Sequence, residues 1–393
     1  MGRGVSRYGI VGRNTPITTS VKETAGGLPA VISAWKHGVS KMGFVGSTVS
    51  LGKANQKRGF DCPGCAWPDP KHRSPFEYCE NGAKAVSDEA TIKTIPDSFW
   101  QEHSIHALGR KSDQWLNSQG RLSRPLILER DSNHYVPSDW DRAIGIIAKS
   151  LDALEDPNDA YFYTSGRASN EAAYLWQLLA RQYGTNNLPD CSNMCHESSG
   201  VALNESIGIG KGTVRLEDFD KADLIVIVGQ NPGTNHPRML SALKSAKKSG
   251  ASVLSINPLK ETGMRRFRHP QSPIDMLGAG TQISDDHVNI KINGDMALFR
   301  AIGSIILDKG SHDPDFINLN TTGFLDYAKI AQKIDWDLIE HLTGQDRGRI
   351  NEISDYFCRS RRTIVCWAMG ITQHKNSVNT IREIMNVLLL KGD

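Results

Sequence analysis

The sequence predicts an α/β protein: doubly wound, mostly parallel sheet domains behind a small cysteine-rich N-terminal domain. Three observations predict it. Apolar strand-like runs alternate with helix-like segments from about Tyr161 onward. The best of those runs, Leu224–Val228 in "ADLIVIVG", is apolar throughout, as a strand covered on both faces must be. Polar turns rich in Asn, Gly and Asp then follow three of the strands, at the edge where doubly wound sheets take their ligands.

The 393 residues are enough for two or three domains. We expect a basic, partly disordered leader over 1–58, a cysteine-rich domain over 59–110, and α/β domains over 111–393. The first hundred residues, dense in glycine and proline, read as loops. "AYFYTSGR" from Ala160 reads as a buried strand ending in a Ser-Gly turn. "SNEAAYLWQLLARQYG" reads as a helix: Ser169 or Asn170 caps it, Ala172, Leu175, Trp176 and Leu179 recur at helical spacing, and Gly184 stops it. "PRMLSALKSAKKSG" is a second helix and "ASVLSIN" the next strand. "DHVNIKI" and "RTIVCWAMG" read as further strands, each followed by a helix.

Apolar residues make up 39% and charged residues 23%, the balance of a soluble globular protein. No apolar run approaches the roughly 20 residues that span a bilayer, so no membrane span is expected. The N-terminus lacks an apolar signal core, and a cytoplasmic location is the expectation. Net charge is only +3, but nine basic residues and one acid, Glu23, fall in the first 60. Such a run suits an anionic ligand or a solvated leader. No aromatic interleaving or nucleic-acid motif accompanies it, so no nucleic acid partner is expected.

Seven cysteines, odd in number and partly clustered, suit metal or redox chemistry better than disulfides. Cys62 and Cys65 form a C-x-x-C turn, and Cys79 follows after thirteen intervening residues. Thiolates are soft ligands, so zinc and iron–sulfur are both open, with His72 available to a zinc site. In "NLPDCSNMCHESSGVALNESIGIGKGT" the glycines do not make a phosphate loop, because Gly212 rather than Ser or Thr follows Lys211. Pro189 and Asn193 argue against a helix before Cys195. Cys195 and His196 are adjacent and so do not face each other as a hydrolase pair. The residue types alone leave Cys195 open between an inert buried thiol and a functional one.

The order of features is informative. A cysteine cluster precedes "YFYTSGRASNEAAYLWQLLARQYGTNN", then Cys-His, then "DLIVIVGQNPGTNHP". Together with "FDCPGCAWPD" and "FEYCENGAKA", this resembles the large subunit of the molybdopterin oxidoreductases, in particular the formate-dehydrogenase-like subgroup of YdeP type. The resemblance covers about Gly59 to Asp393. It implies a small iron–sulfur-type domain ahead of the α/β domains. It also implies a bis(molybdopterin guanine dinucleotide) cofactor with molybdenum, and a [4Fe-4S] cluster. By that resemblance Cys195 ligates molybdenum and His196 moves a proton. Gly166, Arg167 and Asn170 lie in a strand–helix turn beside the cofactor. Gly229, Asn231, Pro232 and His236 line one dinucleotide, Asn257 holds its guanosine part, and Gly294 with Asp295 form a further dinucleotide loop. Cys62, Cys65 and Cys79 ligate the cluster. The implied reaction is a two-electron conversion of a small molecule, formate or another, with electrons leaving through the cluster to an electron-transfer protein.

The chain departs from the family at four points. The third cluster cysteine is absent from "AWPDPKHRSPF", leaving Asp69 or His72 to complete the cluster. Asn81 stands where a lysine usually lies between cluster and pterin. Glu197-Ser198 replaces the Gly-Pro that follows Cys-His in formate enzymes. A further C-terminal cofactor-binding domain, with the arginine thought to orient formate, is expected beyond Asp393. The alternatives are an inactive or truncated homologue serving as a binding or structural subunit, and a zinc-stapled α/β binding protein.

Overall fold

The computed structural model describes residues 22–65 and 67–393. In chain order, β1 (Ala25–Gly26) runs into α1 (Gly27–Lys53), and α2 (Glu80–Glu89) follows the cysteine-bearing loop. A hairpin of β2 (Leu126–Ile127) and β3 (Val136–Pro137) precedes α3 (Trp140–Asp152) and α4 (Asn170–Tyr183). Next come α5 (Cys191–Ile207), β4 (Leu224–Val228), α6 (Met239–Lys248) and β5 (Ser252–Ile256). Short strands β6 (Arg266–Arg268), β7 (Thr281–Gln282) and β8 (Asp286–Val288) lead to α7 (Asp295–Asp308). The principal elements end with α8 (Arg347–Arg359), β9 (Thr363–Trp367) and α9 (Ser377–Lys391).

The chain forms two compact units. One holds Ala34–Gly64 and Gly82–Pro189; the other holds Lys22–Ser33, Cys65–Asn81 and Asp190–Asp393. Of the expected basic leader, residues 1–21, with Arg3, Arg7 and Arg13, lie outside the described residues. Within the rest, the loop reading fails: α1 runs 27 residues and is interrupted at Gly43, whose φ is 72°. Gly38, Gly46 and Gly52 stay inside the helix, so glycine content alone does not forbid it.

In the first unit α4 has the expected ends. The Ser169 side chain accepts from the Ala172 N–H, and Gly184 closes the helix in the left-handed region. Its apolar stripe is uncovered, however: Leu175, Leu178 and Leu179 are exposed, and α3 has no buried residue at all. The strand expected in "AYFYTSGR" is only an extended segment. Phe162 donates to the Asn187 carbonyl and Thr164 to that of Pro189, and no regular ladder forms.

The second unit carries the predicted parallel sheet, in the order β8-β5-β4-β9. Central β4 pairs from Leu224↔Ser252 to Val228↔Ile256 on one side and from Leu224↔Thr363 to Val228↔Trp367 on the other. All five of its residues are buried. The period of two sends them to opposite faces. Leu224, Val226 and Val228 join a core with α7, α8 and α9, while Ile225 and Ile227 join one with α6, Phe219 and Phe267. Each such side chain contributes roughly 1.5–3 kcal/mol through burial. A second small sheet, β1-β6-β7, ties the N-terminal strand to this unit through Ala25↔Phe267 and Gly26↔Arg268. Among the described residues no helix is long and apolar enough to cross a membrane.

Candidate functional site

Strand order reverses at β4, with β5 and β8 to one side and β9 to the other. Doubly wound sheets open a crevice at such a reversal, outside the carboxyl ends of the strands. Here Gly229 ends β4 with φ +55°, and Gly370 follows β9. Gly370 donates its N–H to the Gly229 carbonyl at 3.0 Å. A Cβ on Gly370 would meet that oxygen at 2.5 Å, and one on Gly229 would meet the Gly370 carbonyl carbon at 2.8 Å. Only glycine permits two backbones this close.

The loops around that contact are polar and buried. Asn231 precedes a single helical turn, Pro232–Asn235, and accepts from Thr234 and Asn235. The Asn257 side chain, at the end of β5, donates to the Gln230 carbonyl at 3.0 Å. Gln230, only 6% exposed, sets its amide nitrogen 3.4 Å from His236 Nδ1 and leaves its Oε1 without a partner. Beyond β9, Thr372 Oγ1, His374 Nδ1 and Asn376 Oδ1 are likewise buried and unpartnered. Unpaired buried polar atoms cost about 1–3 kcal/mol each. Four of the eleven such atoms among the described residues follow the carboxyl ends of β4 and β9.

Helix α5 is stitched to this edge. The Trp367 indole donates to Ser199 Oγ at 2.9 Å and Ser198 Oγ donates to the Thr372 carbonyl at 3.2 Å. The Gln373 amide donates to the carbonyls of Met194 and Cys195 at 3.0 and 3.3 Å. Contrary to expectation, the helix begins at Cys191. Pro189 lies outside it, and Asp190 caps it by accepting from the Asn193 N–H at 2.9 Å. Cys191 and Cys195 therefore share one face, about 40° apart. "GIGKGT" begins past the helix end at Gly208. It opens no helix, in keeping with its rejection as a phosphate loop.

Two imidazoles lie near the thiol helix. Burial lowers the pKa of His196. Burial, then the His196 charge, lowers that of His236. The Trp67 ring packs 6.5 Å from His236 and edge-on to Phe219. At the third strand end, Gly294 caps α7 and Asp295 is its first residue. Asp295 is 4% exposed, and burial pushes its carboxyl up to about 6 despite a hydrogen bond from its own backbone. A polar cavity of about 340 Å³ opens beside β8, lined by Lys260, Arg265, Arg266, Asp286 and His287 among others.

The remaining expected residues fall elsewhere. Gly166, Arg167 and Asn170 belong to the first unit, where the Arg167 N–H donates to Ser165 Oγ and Asn170 opens α4. Cys62 is in the first unit, and Cys65 and Cys79 are in the second. Asp69, one of the two expected spare ligands with His72, has both oxygens engaged, one by Arg238 at 2.7 Å and one by Arg73 at 3.2 Å. Among the described residues no three of His, Cys, Asp and Glu are grouped to hold a metal ion. The sequence reading missed Gln230, Gly370, Thr372, Gln373, His374 and Asn376. The signal was present: "MGITQHKN" is a polar strand-end loop of the same kind as the three singled out.

Known proteins place this architecture. The chain is 43% identical to Protein YdeP of Escherichia coli over 385 residues, covering 95% of this chain and 51% of that protein. It is 28% identical to formate dehydrogenase H of the same organism, over 70% of this chain and 36% of the relative. The solved structure of acetylene hydratase from Pelobacter acetylenicus superposes on 69% of this chain and 36% of its own, with a TM-score of 0.57 at 20% identity. That last likeness shows the fold alone. The chain spans about half the length of the curated relatives it matches. The family model for molybdopterin oxidoreductases matches residues 121–393, and the chain belongs to that family.

Proposed function

We propose that this chain forms the pterin-dinucleotide and molybdenum-ligand side of an oxidoreductase acting on a small molecule, formate or a compound of similar size. The observation that carries the reading is the set of unpartnered buried polar atoms on Gln230, Thr372, His374 and Asn376, beside the helix that bears Cys195. Their chemistry fits the heteroatom-rich edge of a pterin dinucleotide. They supply acceptors at Gln230 and Asn376 and a hydroxyl at Thr372.

Gly229, Asn231, Pro232, His236 and Asn257 would hold the dinucleotide along the β4 and β5 ends, and Gly294 with Asp295 would close the third side. By the resemblance, Gly166, Arg167 and Asn170 would also belong to the cofactor-binding set. Molybdenum, once bound, supplies the two-electron redox step. The work of the protein is separate. Cys195, at the start of the second turn of α5, would offer its sulfur to the metal. Gln373 and Ser198 hold that turn against the β9 loop. His196, whose pKa desolvation lowers, would accept a proton at its imidazole and pass it on. Cys62, Cys65 and Cys79 would be the ligands of a [4Fe-4S] cluster by the resemblance, although among the described residues they are not gathered as a metal site; such a cluster would supply an electron route to a protein acceptor in a cytoplasmic enzyme.

The test is metal and nucleotide analysis of anaerobically prepared protein. We expect about one molybdenum per chain and guanosine monophosphate on acid hydrolysis, with molybdenum lost in Cys195→Ala. Protein free of both would overturn the reading.

A further inference from the structure

Arg238 follows His236 and Pro237 and lies at the start of α6, yet its side chain is only 11% exposed. All three of its nitrogens are used. Nε and Nη2 donate to Glu77 Oε1 at 3.2 and 2.9 Å, Nη2 also donates to Asp69 Oδ1 at 2.7 Å, and Nη1 donates to the Trp67 carbonyl at 3.3 Å. The two carboxylates are 15% and 14% exposed. Their outer oxygens are taken as well. Asp69 Oδ2 meets Arg73, and Glu77 Oε2 accepts from the Ser74 N–H and hydroxyl at 2.9 and 3.0 Å.

These acceptors all come from one segment, Cys65–Asn81, which carries Cys65 and Cys79. The same segment is fastened at two further points. Asn81 donates to the Thr234 carbonyl at 2.6 Å, and Gln271 donates to the Phe76 carbonyl at 2.7 Å. Trp67 is wedged between Phe219 and His236. A cysteine loop folded around a metal draws its order from ligand bonds. Here the loop is folded around a buried guanidinium, whose planar fork can satisfy two carboxylates and a carbonyl at once.

We propose that Arg238 is a positioning residue that fixes the Cys65–Asn81 segment against the His236 loop without any metal, and that Asp69 is not a metal ligand. Asp69 would have to abandon Arg238 or Arg73 to ligate, leaving a buried cation uncompensated. In this chain the region of the missing family cysteine is thus occupied by an ion-pair staple. Of the thiols a metal group could use, this segment carries Cys65 and Cys79. The metal part of this inference rests on the proposed function; the staple does not.

The test is hydrogen exchange, read by mass spectrometry, on peptides spanning residues 67–78. Metal-depleted wild-type protein is compared with the same protein reconstituted with ferrous iron and sulfide. Slow exchange that changes by less than about twofold between the two supports the staple. Arg238→Met should then speed exchange more than tenfold, and Arg238→Lys should restore part of the protection. Metal-depleted wild-type protein exchanging as fast as Arg238→Met would overturn it, and that comparison stands even if Arg238→Lys folds poorly. Iron bound by Asp69→Asn should equal that of wild type; loss of half or more would make Asp69 a ligand. Wild-type protein that takes up no iron removes the cluster from the proposed function, while the metal-free exchange rates still decide the role of Arg238.

Discussion

Asp295 offers the sharpest quantitative test of the cradle. It is the first residue of α7, buried to 4% exposure, and its carboxyl pKa is pushed from the usual 3.8 to about 6. The folded state therefore binds a proton more tightly than the unfolded chain. Stability is greatest below about pH 4 and falls as pH rises through the folded value, because the native form must then hold a buried anion. A shift of roughly two units corresponds to about 3 kcal/mol lost by pH 7. Asp295→Asn keeps the shape and removes the charge, so it should abolish that loss. Denaturant unfolding of the cofactor-free chain between pH 4 and 7.5 reads this directly. The variant should match wild type near pH 4 and exceed it by about 2–3 kcal/mol at pH 7. Parallel pH profiles for the two proteins would refute the reasoning. A carboxyl kept at such a cost is expected where a ligand uses it, so the same substitution should weaken retention of guanine nucleotide while it stabilises the empty protein.

Other substitutions probe neighbouring features. Gly370→Ala drives a methyl into the Gly229 carbonyl; it should cost at least about 2 kcal/mol in thermal unfolding and release bound nucleotide. Arg300 donates to Glu383, a carboxylate 5% exposed in the core between α7 and α9. Arg300→Met should destabilise by about 3–5 kcal/mol in urea, and adding Glu383→Leu should recover most of that. Glu197→Gln should lower the KM for an anionic substrate by no more than about twentyfold in steady-state assays.

The sheet was legible because its signal is redundant. Five apolar residues in β4 leave no face for water, and β5 and β9 repeat the pattern with turn residues at both ends. The cap of α4 at Ser169 and its stop at Gly184 were legible for the same local reason. What failed depended on tertiary context. Pro189 was read as a barrier to α5, yet a proline just ahead of an Asp cap is compatible with a helix start. Helix α1 was hidden by its glycines. The stripe on α4 was legible as helical spacing, yet Leu175 and Leu179 are exposed; amphipathic spacing shows that a face is apolar but not what covers it. In the site, the strand-end loops after β4, β5 and β8 were found by their Asn and Gly content. The β9 loop, richer in Gln and His, escaped a search for turn residues. Arg238 could not be found at all, since a buried arginine announces itself only through partners more than 160 residues away.

Glu197 posed a specific difficulty, an acid next to a thiol thought to face an anionic substrate. The helix resolves it. With α5 starting at Cys191, Glu197 lies about 200° around the axis from Cys195. Its carboxylate is held on that opposite face by the Asn193 side chain at 2.8 Å, one turn earlier. Ser199 and Ala202 lie within about 40° of Cys195 and are buried, so the thiol belongs to the face stitched to the β9 loop. A helix is about 10 Å across. At that separation a carboxylate repels a bound anion by about 0.4 kcal/mol at the dielectric of water and by about 1.7 kcal/mol at the effective dielectric of a protein surface. That is a factor of about two to twenty. The replacement of the formate enzymes' glycine therefore weakens binding of a formate-type anion only modestly. On the proposed reading, the groups this chain would contribute to substrate selection are His196, His236 and the unpartnered groups beyond β9.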